Sequence, residues 1–135
     1  MTHRREASVE LEVPFHDVDV VGVVWHGHYY KYFELARTAL FRGAGLDVED
    51  FLRLGHGLLV IDTHCRYVRG LRYGERFRVT ATLADVDHRI LVKYEIVELR
   101  TGRRAARGST ALVTTDAHGR MLLETPDAIR ERLLA

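Results

Sequence analysis

The segment Tyr29–Gly43 constrains the fold more than any other part of the chain. Its polar residues Lys31, Thr38 and Arg42 fall on one narrow stripe at helical spacing, with Glu34 beside it. The other positions are mostly apolar and comprise Tyr29, Tyr32, Phe33, Leu35, Ala36, Ala39 and Leu40. A helix that is apolar around so much of its circumference is a buried helix. The remainder of the chain must therefore wrap around this one.

The sequence that follows the helix predicts the wrapping layer. Apolar residues alternate as in strands, and we place four strands at residues 59–67, 77–83, 90–96 and 105–115. No helical pattern interrupts them, and short connections between consecutive strands favour antiparallel pairing in a four-strand meander. The side chains predicted to share one face of the first of these strands are Leu59, Ile61, Thr63, Cys65 and Tyr67.

Three further elements complete the predicted architecture. A first strand runs from Ser8 to about His16, a short helix spans roughly Val48–Leu54, and a final helix begins near Pro126. Strand, long helix and meander together predict an α+β fold, in which an antiparallel sheet curls around one central helix.

The composition narrows the functional classes. A chain of 135 residues that is 47% hydrophobic fits one globular domain over residues 1–135. The net charge of +1 gives no electrostatic reason to bind nucleic acid, and no apolar run of about 18 residues predicts membrane insertion. The lone Cys65 cannot form an internal disulfide, and the N-terminal residues lack the apolar run of a signal peptide. We therefore expect a cytoplasmic protein.

The turn before the long helix carries residues suited to chemistry. Between Phe15 and Tyr29 the chain places two acids and three histidines among apolar residues, which conflicts with simple core building. The turn delivers these side chains to a helix N-terminus, where backbone N–H groups are free and partly positive. A carboxylate beside such an amide pocket suits attack on a carbonyl, so the pattern predicts a small hydrolase.

The same stretch resembles the hotdog-fold thioesterases, in particular 4-hydroxybenzoyl-CoA thioesterase and the acyl-CoA thioesterases of the Tol–Pal cluster type. The matching positions are Phe15, Asp17, Asp19, residues 22–26, Tyr29 and residues 33–37. The resemblance covers most of the chain. It implies a hotdog fold and hydrolysis of an acyl thioester of coenzyme A or of an acyl carrier protein. Coenzyme A is then part of the substrate, and no separate cofactor is expected. The resemblance also implies homodimers joined edge to edge, often paired into tetramers, with the site between subunits.

Within that resemblance Asp19, the second acid of the Asp-x-Asp pair, is the catalytic residue. Backbone N–H groups at about His26 and Gly27 would polarise the thioester carbonyl. As a catalyst Asp19 would act as a nucleophile or as a base that activates water. The residues alone leave another role open, because Asp before a helix commonly serves as a turn or cap residue. Asp17 is expected to hold the turn by accepting backbone hydrogen bonds.

Aromatic and histidine side chains near the turn are candidates for substrate contact. His26 could hydrogen-bond the carbonyl or cap the helix. Trp25, Tyr29 and Phe33 could line an acyl pocket or simply belong to the core. His26 and His28 diverge on a helix and have no third ligand at a matching spacing, so no metal site is expected.

Charged residues supply the remaining candidates. Glu34 and Arg37, three apart on the helix, are expected to pair, and Glu34 could also contact substrate. Arg66, Arg69 and Arg89 could hold the phosphates of coenzyme A, because a guanidinium donates to phosphate oxygens in a planar fork. The alternative for these arginines is solvated surface charge.

Two other functions remain open at this stage. An acyl-thioester hydratase of the same fold would carry Asp-x-Asn-Pro, with a histidine five residues after the aspartate. Here Asp19 is followed by Val20 and Val21, and position 24 is a valine. A non-catalytic acyl-ligand binding protein would instead keep Asp19 idle. Release of a free thiol from an acyl-CoA distinguishes hydrolysis from both.

Overall fold

Helix α1 (His28–Gly43) packs against one face of a five-stranded antiparallel sheet. The computed structural model describes residues 5–135, so most of the stretch used for the signal-peptide expectation lies outside the described residues. The strands are β1 (Glu6–Glu12), β2 (Gly57–Tyr67), β3 (Arg76–Asp85), β4 (Ile90–Glu98) and β5 (Arg104–Thr115). They lie in the order β1-β3-β4-β5-β2. The two remaining helices are α2 (Val48–Leu54) and α3 (Asp127–Leu134).

The expected α+β architecture is confirmed, with α1 at the centre of the core. Tyr32, Phe33, Ala36 and Leu40 of this helix are at most 3% exposed. Leu35, however, is 45% exposed, so one side of α1 is not covered. The sequence pattern predicts more complete burial than a single sheet, packed on one side of the helix, provides. Among residues 5–135 no helix is long and apolar enough to cross a membrane.

The predicted four-strand meander is wrong in one respect, because β2 pairs with β5 and not with β3. β3, β4 and β5 do form a meander, and β1 takes the place beside β3. The chain crosses from β2 to β3 through residues 68–75, where the carbonyl of Leu71 accepts a hydrogen bond from the N–H of Val24 at 2.8 Å. Alternation indicates which residues face the core. It does not identify the neighbouring strand, which depends on where this connection crosses the sheet.

The first strand is shorter than predicted. β1 ends at Glu12, whereas the alternation extends to about His16. Pro14 has no N–H to donate to a neighbouring strand, and a 3-10 turn follows at Phe15–Asp17. The turn redirects the chain toward the start of α1.

A bulge in β2 changes which side chains share a face. The register between β2 and β5 shifts between Val60 and Asp62. An extra residue in one strand reverses the side on which the later residues point. Leu59 therefore lies on the opposite face from Thr63 and Cys65, contrary to the prediction that these residues share one face.

Gly108 of β5 allows close packing of the sheet on α1. A Cβ at this position would lie 2.6 Å from Cε2 of Phe33 and would also meet the carbonyl oxygen of His64. We expect Gly108→Ala to lower the free energy of unfolding by about 2 kcal/mol, because a fully buried ring and a strand carbonyl have little room to move. Chemical denaturation measures the change. Ser109→Ala, one residue further and on the other face, is the control, and equal effects of the two substitutions would contradict this packing.

Candidate active site

Asp17 is the buried centre of the turn that precedes α1. Its side chain is 1% exposed and accepts hydrogen bonds from Nζ of Lys31 at 2.7 Å and from the hydroxyl of Tyr32 at 2.5 Å. Nε2 of His28 lies 3.8 Å from the same carboxylate. Asp17 does hold the turn, but through side chains of α1 rather than through the backbone N–H groups that we expected. Sequence reasoning missed Lys31 and Tyr32, although their place in the first turn of the helix was visible.

The environment keeps Asp17 ionised. Burial alone would raise its pKa, but hydrogen bonds from Lys31 and Tyr32 and the positive charge of Lys31 outweigh burial. The pKa of Asp17 therefore lies below its ordinary value of 3.8. The same contact acts in the opposite sense on Tyr32, since burial and the neighbouring carboxylate raise the pKa of the Tyr32 hydroxyl well above 10. Because the carboxylate of Asp17 is buried and both of its oxygens accept hydrogen bonds, it stabilises the turn and is not available to bind a substrate.

Asp19 lies at the start of a tight hairpin turn and is only half-buried. Its Oδ1 accepts a hydrogen bond from the N–H of Val21 at 2.9 Å, and its own N–H donates to the carbonyl of Val23 at 2.9 Å. Gly22 closes the turn with a φ of +91°, a conformation that favours glycine. The other carboxylate oxygen, Oδ2, accepts no hydrogen bond from residues 5–135. This oxygen is free to attack a carbon or to accept a proton.

The second arm of the hairpin leads directly into α1, where backbone donors are available. Within the described part of the chain, the N–H groups of His26 and Gly27 donate no hydrogen bond, and Gly27 is the N-cap residue of α1. The N–H of Trp25 donates to the carbonyl of Asp17 at 3.0 Å, which joins the two arms. The hydroxyl of Tyr67 donates to the carbonyl of His26 at 2.6 Å and fixes the start of the helix from β2. The sequence carries no local signal for Tyr67, which is 41 residues away.

Gly27 lies directly against the ring of Trp25. The φ of Gly27 is −69°, which any residue can adopt, but a Cβ at this position would lie 2.5 Å from Cη2 of Trp25. The Trp25 side chain is 49% exposed, and its ring lies 4.9 Å from that of His26 and 5.3 Å from that of His28. Trp25 therefore forms an accessible aromatic cover over the start of α1.

Tyr29 and Phe33 belong to the core and do not line an open pocket. They are 2% and 0% exposed. The hydroxyl of Tyr29 accepts a hydrogen bond from the N–H of Leu71 at 3.2 Å, and the ring of Phe33 stacks on that of Tyr94 at 4.4 Å. Of the three aromatic residues predicted to contact substrate, only Trp25 offers surface. Periodicity alone could not separate the two possibilities, because an aromatic residue on a helix gives the same pattern in both.

A concavity of about 380 Å³ lies toward the other end of α1, between α1, α2 and the β2–β5 edge. We call it the apolar groove, and its lining includes Thr38, Phe41, Phe51, Leu58, Val60 and Leu112. Glu34 also lines it and pairs with Arg37 at 3.8 Å, as expected from their spacing. Glu34 is seven residues from Gly27, or about 10 Å along the helix. The structure therefore places Glu34 at the groove rather than beside Asp19.

The three arginines proposed for phosphate binding do not form one site. Arg69 lies 3.5 Å from both Glu75 and Glu98, so its guanidinium is engaged with two carboxylates. Arg66 is exposed on β2, and Arg89 is exposed at the turn before β4. The strand register puts Arg66 level with the sixth residue after Arg89. That separation corresponds to about 20 Å along the strand direction.

Two further kinds of site, a cysteine nucleophile and a metal centre, find little support in the described residues. Cys65 is half-buried, and burial raises the pKa of its thiol, which suits a packed side chain rather than a nucleophile. In residues 5–135 no group of three or more His, Cys, Asp or Glu side chains is placed to hold a metal ion.

Asp17→Asn should lower stability in a pH-dependent way. At neutral pH the change removes a buried charge that accepts two hydrogen bonds, which costs about 2 kcal/mol. The pKa of Asp17 is lower in the folded than in the unfolded chain, so its contribution is present above the unfolded value near 3.8. The contribution is lost as the pH falls through the folded value. Thermal unfolding of both proteins from about pH 7 to about pH 2 should show a difference that narrows in acid. A constant difference would mean that the carboxylate charge is not what stabilises the turn.

The chain is similar to known proteins over most of its length. A family model described as the Thioesterase-like superfamily matches residues 13–133. A protein of Synechocystis sp. named as an esterase is 33% identical over 129 residues, which cover 94% of this chain and 78% of that protein.

Two solved structures share the architecture. DHNA-CoA thioesterase from Staphylococcus aureus superimposes with a TM-score of 0.80 at 27% identity, over 87% of this chain and 80% of that chain. A mutant of 4-hydroxybenzoyl CoA thioesterase complexed with 4-hydroxybenzoyl CoA gives a TM-score of 0.85 at 17% identity, over 97% of this chain and 99% of that chain. An identity as low as the second supports the fold only. Since the family match spans nearly the whole length, the chain belongs to the thioesterase-like superfamily and has the hotdog fold.

Proposed function

We propose that this chain is an acyl-CoA thioesterase in which the carboxylate of Asp19 attacks the thioester or activates the water that does. One observation carries the proposal. The hairpin holds a carboxylate with a free Oδ2 on one arm and leads, on the other arm, into the unfilled N–H groups of His26 and Gly27. Membership of the thioesterase-like superfamily supports the reaction class. The names of the two thioesterases with the same fold support coenzyme A as the thiol carrier.

The chemistry can follow two routes with the same residues. In the nucleophilic route, Oδ2 of Asp19 bonds to the thioester carbon, the carbon–sulfur bond breaks, and the coenzyme A thiolate leaves. Water then hydrolyses the mixed anhydride and restores the carboxylate. In the general-base route, Asp19 takes a proton from a water molecule whose oxygen attacks the same carbon. The carbon–sulfur bond then breaks, and the proton on Asp19 passes to the departing coenzyme A thiolate. In both routes the N–H groups of His26 and Gly27 stabilise the negative charge that develops on the carbonyl oxygen.

The residues proposed to bind the substrate, Trp25 and the arginines, differ in how exposed their side chains are. Trp25 offers an exposed ring beside the helix start, which suits contact with the acyl group or the pantetheine arm. Because the guanidinium of Arg69 lies beside two carboxylates, we propose no phosphate contact for Arg69. Arg66 and Arg89 make no ion pair within residues 5–135, and both are exposed. Each is therefore kept as a proposed phosphate ligand.

The assembly is proposed to be a homodimer. β2 lies at one end of the strand order, and most of its side chains are exposed. An open edge of this kind favours pairing with a second copy. Assembly of dimers into a tetramer and a cytoplasmic location stay predictions of the sequence.

Asp19→Asn should retain the fold and lose at least about a hundredfold in kcat, or about 3 kcal/mol of transition-state stabilisation. Asparagine keeps an oxygen that can accept the hydrogen bond from Val21 but lacks the negative charge. Thiol release from a panel of aromatic, short-chain and long-chain acyl-CoA esters measures the loss. Asp116→Asn is the matched control, because Asp116 also caps a turn, accepting from the N–H of His118 at 2.8 Å.

Turnover of Asp19→Asn near the wild-type rate would refute the assignment of Asp19. A wild-type protein that binds acyl-CoA without releasing thiol would favour the non-catalytic binding protein. A change in enoyl absorbance without thiol release would favour the hydratase.

Gly27→Val should lower kcat more than it weakens binding of a non-hydrolysable thioether analogue. The new side chain would displace the ring of Trp25 and turn the first N–H groups of α1 away from the carbonyl. Loss of one such donor costs about 3 kcal/mol in the transition state. Trp25→Ala, alone and combined with Gly27→Val, separates the two effects, because removing the ring relieves the clash. If the kcat of the double variant equals that of Trp25→Ala, the loss of kcat in Gly27→Val is caused by the clash between the introduced valine and the Trp25 ring. If Gly27→Val alone keeps the wild-type kcat, the carbonyl is polarised elsewhere.

A further inference from the structure

Residues 25–28, which lead into α1, form a β-turn whose third residue is a glycine. The N–H of His28 donates to the carbonyl of Trp25 at 3.0 Å, which closes the turn around His26 and Gly27. The peptide unit between His26 and Gly27 is the middle peptide of this turn. It carries the Gly27 N–H that is proposed to bind the thioester carbonyl. The direction of this peptide therefore decides whether that N–H faces the substrate.

The middle peptide of a β-turn has two opposite orientations. In a type I turn the third residue has a negative φ, whereas in a type II turn the peptide is turned over and the third residue has a φ of about +80°. Gly27 has a φ of −69°, as in a type I turn. A glycine in this position leaves the type II form accessible, because it has no Cβ to oppose a positive φ. Turning the peptide over would reverse both the His26 carbonyl and the Gly27 N–H.

The ring of Trp25 explains why a glycine stands here in spite of that freedom. A Cβ at position 27 would lie 2.5 Å from Cη2 of the ring, so a larger residue does not fit while the ring keeps its place. A side chain on residue 27 is therefore not available to hold the turn in the type I form. The restraint on the peptide must come from elsewhere in the chain.

Tyr67 supplies a hydrogen bond that selects the observed orientation. Its hydroxyl donates to the carbonyl of His26 at 2.6 Å, and this carbonyl belongs to the same peptide unit as the Gly27 N–H. The peptide is planar and trans, so its C=O and N–H groups point in opposite directions. A hydroxyl that binds the carbonyl on one side therefore directs the N–H toward the other side.

The position of Tyr67 is fixed independently of the turn. Tyr67 is the last residue of β2 and pairs with the buried Ala106 of β5. Its ring packs edge-on against the ring of Tyr29, with the centroids 5.0 Å apart. Burial raises the pKa of the Tyr67 hydroxyl well above its ordinary value, so the hydroxyl stays protonated and available as a donor. The sheet thus delivers a fixed donor to the turn.

We propose that Tyr67 is a positioning residue for the reaction, because it holds the peptide between His26 and Gly27 in the orientation that presents the Gly27 N–H to the thioester carbonyl. This proposal rests on the proposed thioesterase function and adds a residue 41 positions from His26 in the sequence. In this role Tyr67 acts through the peptide and not on the substrate. Removing its hydroxyl should therefore slow the chemical step and leave substrate binding nearly unchanged.

Tyr67→Phe tests this role, because it keeps the ring and removes only the hydroxyl. We expect kcat for thiol release to fall at least about fivefold, while the Kd of a non-hydrolysable thioether analogue stays within about twofold of the wild type. Tyr73→Phe is the matched control. The Tyr73 ring is 63% exposed and packs on Phe15, and its hydroxyl makes no hydrogen bond within residues 5–135, so kcat should not change. Wild-type kcat in Tyr67→Phe, or an equal loss in the control, would overturn the proposal.

A second substitution tests whether orientation is the cause. In a Trp25→Ala background the ring no longer excludes a Cβ, and Gly27→Ala then disfavours the positive φ of the type II turn. Alanine should hold the peptide without help from the hydroxyl. The loss of kcat caused by Tyr67→Phe should therefore shrink from about fivefold in Trp25→Ala to less than about twofold in Trp25→Ala/Gly27→Ala. An equal loss in both backgrounds would mean that Tyr67 does not act through the peptide orientation.

The direction of the Gly27 N–H bond is measurable without turnover. Residual dipolar couplings of isotope-labelled protein report the direction of each N–H bond relative to the sheet. A fivefold loss of kcat corresponds to about one fifth of the molecules in the observed orientation. Tyr67→Phe should therefore change the coupling of Gly27 and leave those of β3, β4 and β5 as they are. A Gly27 coupling equal to that of the wild type would contradict the proposal.

Failure of the proposed function can be told apart from failure of this role. Without thiol release by the wild type, thioesterase activity is refuted, while the dipolar couplings still decide whether Tyr67 orients the peptide. With thiol release by the wild type and the same kcat in Tyr67→Phe, the function stands and the role of Tyr67 is refuted.

Discussion

The buried carboxylate of Asp17 joins parts of the molecule that must keep a fixed relative position. Lys31 and Tyr32 bind it from the first turns of α1, while the Asp17 backbone carbonyl binds the far arm of the hairpin through Trp25. A buried charge that loses its partners is costly, so this arrangement resists displacement. The hairpin that carries Asp19 is therefore held against the start of the helix. Asp17 and Asp19 are only two residues apart, but their surroundings differ. Asp17 is buried and stabilises the turn, whereas one carboxylate oxygen of Asp19 accepts no hydrogen bond from residues 5–135.

Incomplete burial of α1 has consequences across the rest of the molecule. The sheet covers one side of the helix, so Leu35 stays exposed and the apolar groove opens between α1 and the edge strand β2. On the same edge strand, Arg66 lies opposite Arg107 of β5, and Arg107 in turn lies opposite Glu95 of β4. The exposed apolar edge supports the proposed homodimer, in which a second copy adds to β2.

Much of the fold could be predicted because its signals are local. The spacing of apolar residues located α1 to within one residue of its observed start, and the predicted bounds of α2, Val48–Leu54, are those observed. The predicted ion pair of Glu34 and Arg37 follows from helix geometry alone. Errors arose where a single residue changed the pattern. Pro14 ended β1 early, and the bulge after Val60 reversed the faces of β2.

The sequence by itself determined the elements, the apolar helix at the centre and the unusual acids and histidines before it, because each depends on residues a few positions apart. The tertiary structure decided the position of β2 beside β5, the burial of Tyr29 and Phe33, and the contact of Tyr67 with His26. It also placed the guanidinium of Arg69 beside the carboxylates of Glu75 and Glu98. These outcomes depend on which distant segments meet when the chain crosses from β2 to β3. Periodicity records the face on which a side chain lies, whereas its partner is set by the order in which the strands pair in the sheet.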